Sequence, residues 1–160
     1  MLKDLIRSFR ISRPAVPSRA LPWDLRAVLE FLRSPAFEPL DKLSVKELTK
    51  KMVFLLSLAT ARRVGELQAV SRVVSFAGND IHLSYLPKFV AKTESSSDPL
   101  PRSFLVCSLS DFVGDAPEEL ALCPVRALKA YVSRMELLLP HPRTLFVSPG
   151  TRVVLSRRTL

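Results

Sequence analysis

The stretch from Leu43 to Ala61 constrains this chain more than any other. Ser44-Val45-Lys46-Glu47 has the pattern of a capping box, in which a serine hydroxyl and a glutamate carboxylate satisfy backbone donors left orphaned where a helix begins. Leu43 and Leu48 flank it at the spacing of a hydrophobic staple. Beyond it Val45, Leu48, Met52, Leu55, Leu56 and Ala59 recur at helical spacing and form one core-facing stripe. The apolar run over 52–61 contains Ser57 and Thr60 and is bounded by Lys50, Lys51 and Arg62. It falls short of the roughly 18–20 residues that span a bilayer, so it is expected as a core helix.

The rest of the chain must pack around that helix. Leu2, Leu5, Ile6 and Phe9 have helical spacing, and a Pro-rich strap follows through Pro14 and Pro17. Pro22 is expected in the first turn of a helix with apolar positions Leu25, Val28, Leu29 and Leu32, stopped at Ser34-Pro35. Gly65 interrupts the helical pattern, and residues 66–70 read as a second short helix after a bend. From Val73 the period becomes that of a strand. Val73-Val74-Ser75-Phe76, the turn Ala77-Gly78-Asn79-Asp80 and Ile81-His82-Leu83-Ser84-Tyr85 form a hairpin pattern. A third strand is expected through Phe104-Leu105-Val106. Cys123-Pro124 opens a helix with Val125, Leu128, Val132 and Met135, closed near Pro140, and Leu145-Phe146-Val147 is a short apolar segment. With 13 Pro against 4 Gly, the prolines act as punctuation between elements.

Charge gives the first functional hint. Lys and Arg number 24 against 15 Asp and Glu, a net of +9, and Ser103 to Val125 holds acids without bases. Such a chain suits a polyanionic partner, with a merely solubilising basic surface as the alternative. Cys107 and Cys123 lack metal-ligand spacing and are expected as buried reduced thiols, and His82 and His141 stand alone. No metal, cofactor, membrane segment or small-molecule substrate is expected. Residues 1–14 lack the apolar region and cleavage site of a secretory signal, so an intracellular setting is expected.

Leu58-Ala59-Thr60-Ala61-Arg62-Arg63-Val64-Gly65-Glu66-Leu67 resembles the first-arginine box of the tyrosine recombinases, the phage-integrase family. In that box an apolar helix and a bend precede an Arg, a β-branched residue, a small residue and Glu-Leu. Four further segments resemble, in order, recombinases of DIRS-like retroelements. They are Leu21-Pro22-Trp23-Asp24-Leu25, Pro87-Lys88-Phe89-Val90-Ala91-Lys92-Thr93, Leu122-Cys123-Pro124-Val125-Arg126-Ala127-Leu128 and Leu145-Phe146-Val147-Ser148. The resemblance covers about residues 20–160.

The resemblance implies a domain that acts on DNA through a phosphotyrosyl ester, in the nucleus if the source is eukaryotic. It implies that Arg63 binds non-bridging phosphate oxygens, for which a planar guanidinium is suited. Lys92, with Lys88 as the fallback, would protonate the leaving 5′-oxygen. Glu66 would orient the site. The structural alternative for Arg63 is a surface arginine paired with Glu66 at i,i+3. Arg62, Lys88, Arg13, Arg19, Arg157 and Arg158 are the remaining expected DNA contacts, and other recombinase protomers are possible partners.

The pattern also departs from the family. Its His-x-x-Arg box, a further His or Trp and the nucleophilic Tyr would follow the helix that starts at Pro124. His141-Pro142-Arg143 has its Arg at i+2 and precedes the 145–147 segment, while Tyr85 and Tyr131 read as packing residues. The expectation is a mainly α fold with a small three-stranded antiparallel sheet, the N-terminal part of a recombinase catalytic domain over 21–160. Residues 1–20 would be the end of a core-binding-domain helix plus a Pro-rich linker. Such a chain should bind duplex DNA weakly and without strand transfer. The competing expectation is an inactive mobile-element remnant or a protein-interaction module, with an exposed patch at Leu55, Leu56 and Val132.

Overall fold

A computed structural model describes residues 24–92, 94, 95, 97, 99, 101–138 and 143–146, with backbone alone for 137 and 138. The elements run α1 (Leu25–Arg33), a 3-10 turn (Leu40–Lys42), α2 (Val45–Thr60), α3 (Val64–Gln68), β1 (Val70–Ala77), β2 (Asp80–Tyr85) and β3 (Ser103–Val106). Two single-turn helices, α4 (Ser110–Val113) and α5 (Pro117–Leu120), lead into α6 (Pro124–Leu138). Helices α2 and α6 pack against each other, and the antiparallel sheet, ordered β1-β2-β3, closes the core.

Local chemistry explains where the helices start. Asp24 caps α1 by accepting from the N–H groups of Arg26 and Ala27, so the helix begins at Leu25. The expected role of Pro22 lies outside the described residues. Leu32 is buried and Val28 packs against the core, but Leu25, in the first turn of α1, is exposed. At α2 the Ser44 hydroxyl accepts from Glu47 N–H at 3.2 Å, and Ser44 N–H donates to Glu47 Oε2 at 3.0 Å. Leu43 and Leu48, the staple pair, are both buried. Leu48, Met52, Leu55 and Leu56 form the buried stripe, whereas Ala59 is exposed in the final turn.

That burial corrects the expected patch. Leu55 and Leu56 are 3% and 0% exposed and Val132 packs half-buried, so the described residues already cover this part of the core.

The short helix expected over 66–70 runs Val64–Gln68 instead, and β1 follows it at Val70. Gly78, at φ 63°, and Asn79 make the hairpin turn between Ala77 and Asp80. Register pairs Leu83 with Val74 and Phe104, and Ile81 with Phe76 and Val106. Ile81, Leu83, Phe104 and Val106 are buried on the face that meets the helices. Residues 143–146 run beside the start of β1: Arg72 N–H donates to Arg143 O at 3.0 Å, and Leu145 N–H donates to Val70 O at 2.9 Å. Tyr131 is fully buried and donates its hydroxyl to Leu145 O at 3.2 Å.

Two features depart further from expectation. Cys107 is exposed, because it leaves the sheet just past β3. Cys123 is buried, and its sulfur accepts from Leu109 N–H at 3.4 Å. Lys51, in the middle of the apolar helix, is 0% exposed. Its ammonium donates to Leu32 O at 2.8 Å, to Phe37 O at 3.1 Å and to Glu38 Oε1. Arg126 of α6 grips the same Glu38 with both terminal nitrogens, at 2.7 and 2.8 Å. Burial alone would raise the Glu38 carboxyl, but the hydrogen bonds and charges of Arg126 and Lys51 hold it below the ordinary carboxylate range. Burial outweighs the pull of Glu38 and lowers the Lys51 ammonium.

Candidate functional site

The bend after α2 is made by Ala61, which adopts a left-handed conformation at φ 51°. Two residues later Arg63 stands as the N-cap of α3, with its carbonyl accepting from Glu66 N–H at 2.9 Å and Leu67 N–H at 3.0 Å. The backbone under Arg63 is thereby held on both sides, while the residue itself is exposed. Arg63 lines a hollow of about 280 Å³ together with Glu66, Phe89, Val90 and Lys92.

The opposite wall is the loop after β2. Leu86 N–H donates to Ala69 O at 2.8 Å, which fastens the loop to the end of α3. Pro87 and Lys88 are the central residues of a turn closed by Phe89 N–H to Leu86 O at 3.1 Å, and Lys88 has φ 69°. Lys88 is exposed at the tip of that turn, and the hollow is bounded by Lys92 instead. Arg102 braces the loop by donating to Phe89 O at 2.6 Å and to Glu94 Oε1 at 2.7 Å. Glu94 Oε2 accepts from Ala91 N–H at 3.0 Å, beside Lys92. The bracing residues Arg102 and Glu94 escaped sequence reasoning, since nothing in their local pattern marks a loop clamp.

Adjacent Arg62 and Arg63 differ in exposure, Arg62 being half-buried and Arg63 exposed. The Arg62 guanidinium lies 4.9 Å from the Phe104 ring centroid and 6.0 Å from that of Tyr85, on the buried side of the sheet. Its Nη1 is 3.6 Å from Glu66 Oε2. Aromatic faces and a carboxylate engage the charge of Arg62, which the sequence singled out as a phosphate contact. Glu66, 8% exposed, pairs at i,i+4 with Arg62 and also forms part of the hollow's wall. Arg62 therefore connects the packed sheet to the turn that carries Arg63.

Tyr85 is buried beside Phe89 and Phe104, and burial pushes its phenol above the ordinary value while the charge of Arg62 opposes that shift. Arg13, Arg19, Arg157, Arg158 and His141 lie outside the described residues. Among the described residues no cluster of three His, Cys, Asp or Glu side chains is placed to hold a metal ion. No described helix is long and apolar enough to cross a membrane. The hollow thus offers a planar cation and a point cation on facing walls, with an acid beside them. That arrangement can accept an oxyanion with several oxygens.

No protein-family model, no curated protein and no solved structure matches the chain.

Proposed function

We propose that the hollow between Arg63 and Lys92 binds a phosphodiester of duplex DNA, as the phosphate grip of a tyrosine-recombinase-like domain, and that this polypeptide does not cut the strand. The observation that carries the reading is that Arg63 and Lys92, from separate segments, line one hollow. The guanidinium can bind two non-bridging oxygens at once, and the ammonium adds a mobile point charge. Glu66, held by Arg62, fixes the turn that presents Arg63. A net charge of +9 supports attraction to a polyanion.

Strand transfer through tyrosine needs an accessible phenol beside the phosphate. The chain has two tyrosines, and both are buried, Tyr85 at 6% and Tyr131 at 0% exposure. Neither is available to attack phosphorus. The expected activity is weak, sequence-tolerant binding, with a dissociation constant of about 10⁻⁴ to 10⁻⁶ M at physiological salt. The test is fluorescence anisotropy with duplexes of unrelated sequence across a salt series. Wild-type affinity should fall steeply as salt rises, and Arg63→Ala should lower the log–log slope by about one. Absence of duplex binding at low salt overturns the reading in favour of an inactive remnant or a protein-interaction module.

A further inference from the structure

We infer that the open groove between Arg72 and Arg143 is a second phosphate seat for the same duplex, an inference that rests on the reading of the Arg63–Lys92 hollow. The groove encloses about 840 Å³ and is lined by Arg72, Val73, Leu86, Pro87, Glu136 and Arg143, among others. Its two arginines come from neighbouring extended segments joined by the Arg72 N–H to Arg143 O bond of 3.0 Å. Arg72 is half-buried, and its Nη1 has neither solvent nor a hydrogen-bond acceptor. That atom is closed to a groove ligand as well as to solvent, so the seat rests on the two arginines, Arg72 and Arg143, that line one open groove.

Position links the two hollows. Leu86 and Pro87 form a wall of the groove, while Phe89 and Val90, in the same loop, form a wall of the Arg63–Lys92 hollow. One tight turn therefore separates two cationic depressions, and a polyanionic strand crossing that turn meets both. Val73, Leu86 and Pro87 supply an apolar surface on which a sugar face can rest. Glu136 is the acid of the groove wall, outnumbered by Arg72 and Arg143.

The test is anisotropy of the full 160-residue chain with labelled duplexes of unrelated sequence over a salt series. Arg143 is exposed, so Arg143→Gln should leave the urea midpoint unchanged. It should weaken binding about 3- to 10-fold on every sequence and lower the salt slope by about one. Glu136→Gln removes a repulsion and should tighten binding about 2- to 3-fold. Arg72→Lys, which keeps the charge but loses the planar fork, should retain the salt slope while weakening affinity. Unchanged affinity and slope in both Arg143→Gln and Glu136→Gln, with Arg63→Ala still impaired, overturn the groove and leave the first hollow standing. Loss in Arg143→Gln with no effect of Arg63→Ala overturns the reading of the first hollow and keeps the groove. A wild-type chain that binds no duplex at low salt overturns both.

Discussion

Replacing Glu38 with glutamine should cost more stability than replacing either cation it holds. The Glu38 side chain is 17% exposed and sits between Lys51, at 0%, and Arg126, at 40%. Removing one partner of a buried pair strands the other charge, at about 3–5 kcal/mol when water is excluded. Arg126 is wet enough for solvent to screen it, which puts Glu38→Gln near the lower end, about 3 kcal/mol. Lys51→Met removes the wholly buried charge with little change in volume and leaves the Glu38–Arg126 fork intact. Its cost is the loss of a donor for Leu32 O and Phe37 O, about 1–2 kcal/mol. Urea unfolding followed by circular dichroism reads both; at an m-value of about 2 kcal/mol per M, Glu38→Gln moves the midpoint by about 1.5 M. The double variant should fall short of the sum by about 0.5 kcal/mol or more, because the residues touch. The pH dependence has a definite sign. A carboxyl held below its ordinary value contributes stability that is complete above the ordinary carboxylate range and disappears as pH falls through the depressed folded value. Glu38→Gln should therefore flatten the acid limb of the stability curve. A Glu38→Gln cost under about 1 kcal/mol, or one smaller than that of Lys51→Met, would refute the reasoning.

Other consequences are simpler. Ser44→Ala removes the hydroxyl half of the capping box, leaving the backbone N–H that donates to Glu47, and should cost about 1 kcal/mol by urea unfolding, with m unchanged. A thiol reagent should modify Cys107 in the native protein and reach Cys123 only on unfolding, read by mass spectrometry of the labelled peptides. Arg102→Ala removes the brace on the Lys92 loop. Its side chain is 62% exposed, but its loss strands the Glu94 carboxylate, 7% exposed, so stability should fall by about 1–3 kcal/mol, while amide exchange at Ala91 accelerates and duplex binding weakens.

The legible parts of this fold are those decided within a few residues. The capping box, its staple and the hairpin turn at Gly78-Asn79 each carry their own geometry. The single-turn helices Ser110–Val113 and Pro117–Leu120 have too few residues to show a period. Lys51 reads locally as a charged boundary, because the groups that receive its ammonium, Leu32 O, Phe37 O and Glu38, come from the end of α1 and the loop after it. At the site, Arg63 and Lys92 were visible only through a family likeness, and local pattern could not say which of Arg62 and Arg63 faces outward. That is decided by the left-handed turn at Ala61 and by the rings of Phe104 and Tyr85, which draw Arg62 inward. The pairing of Arg72 with Arg143 depends on residues 143–146 lying beside β1, a tertiary contact that leaves no mark in either segment.

A double-mutant cycle on duplex affinity tests the shared Arg63–Lys92 hollow most directly. If both side chains hold one phosphate, Arg63→Ala and Lys92→Ala should each weaken binding, and the double variant should depart from additivity by about 0.5 kcal/mol or more. Strict additivity, or loss from only one of the two, would contradict a common phosphate.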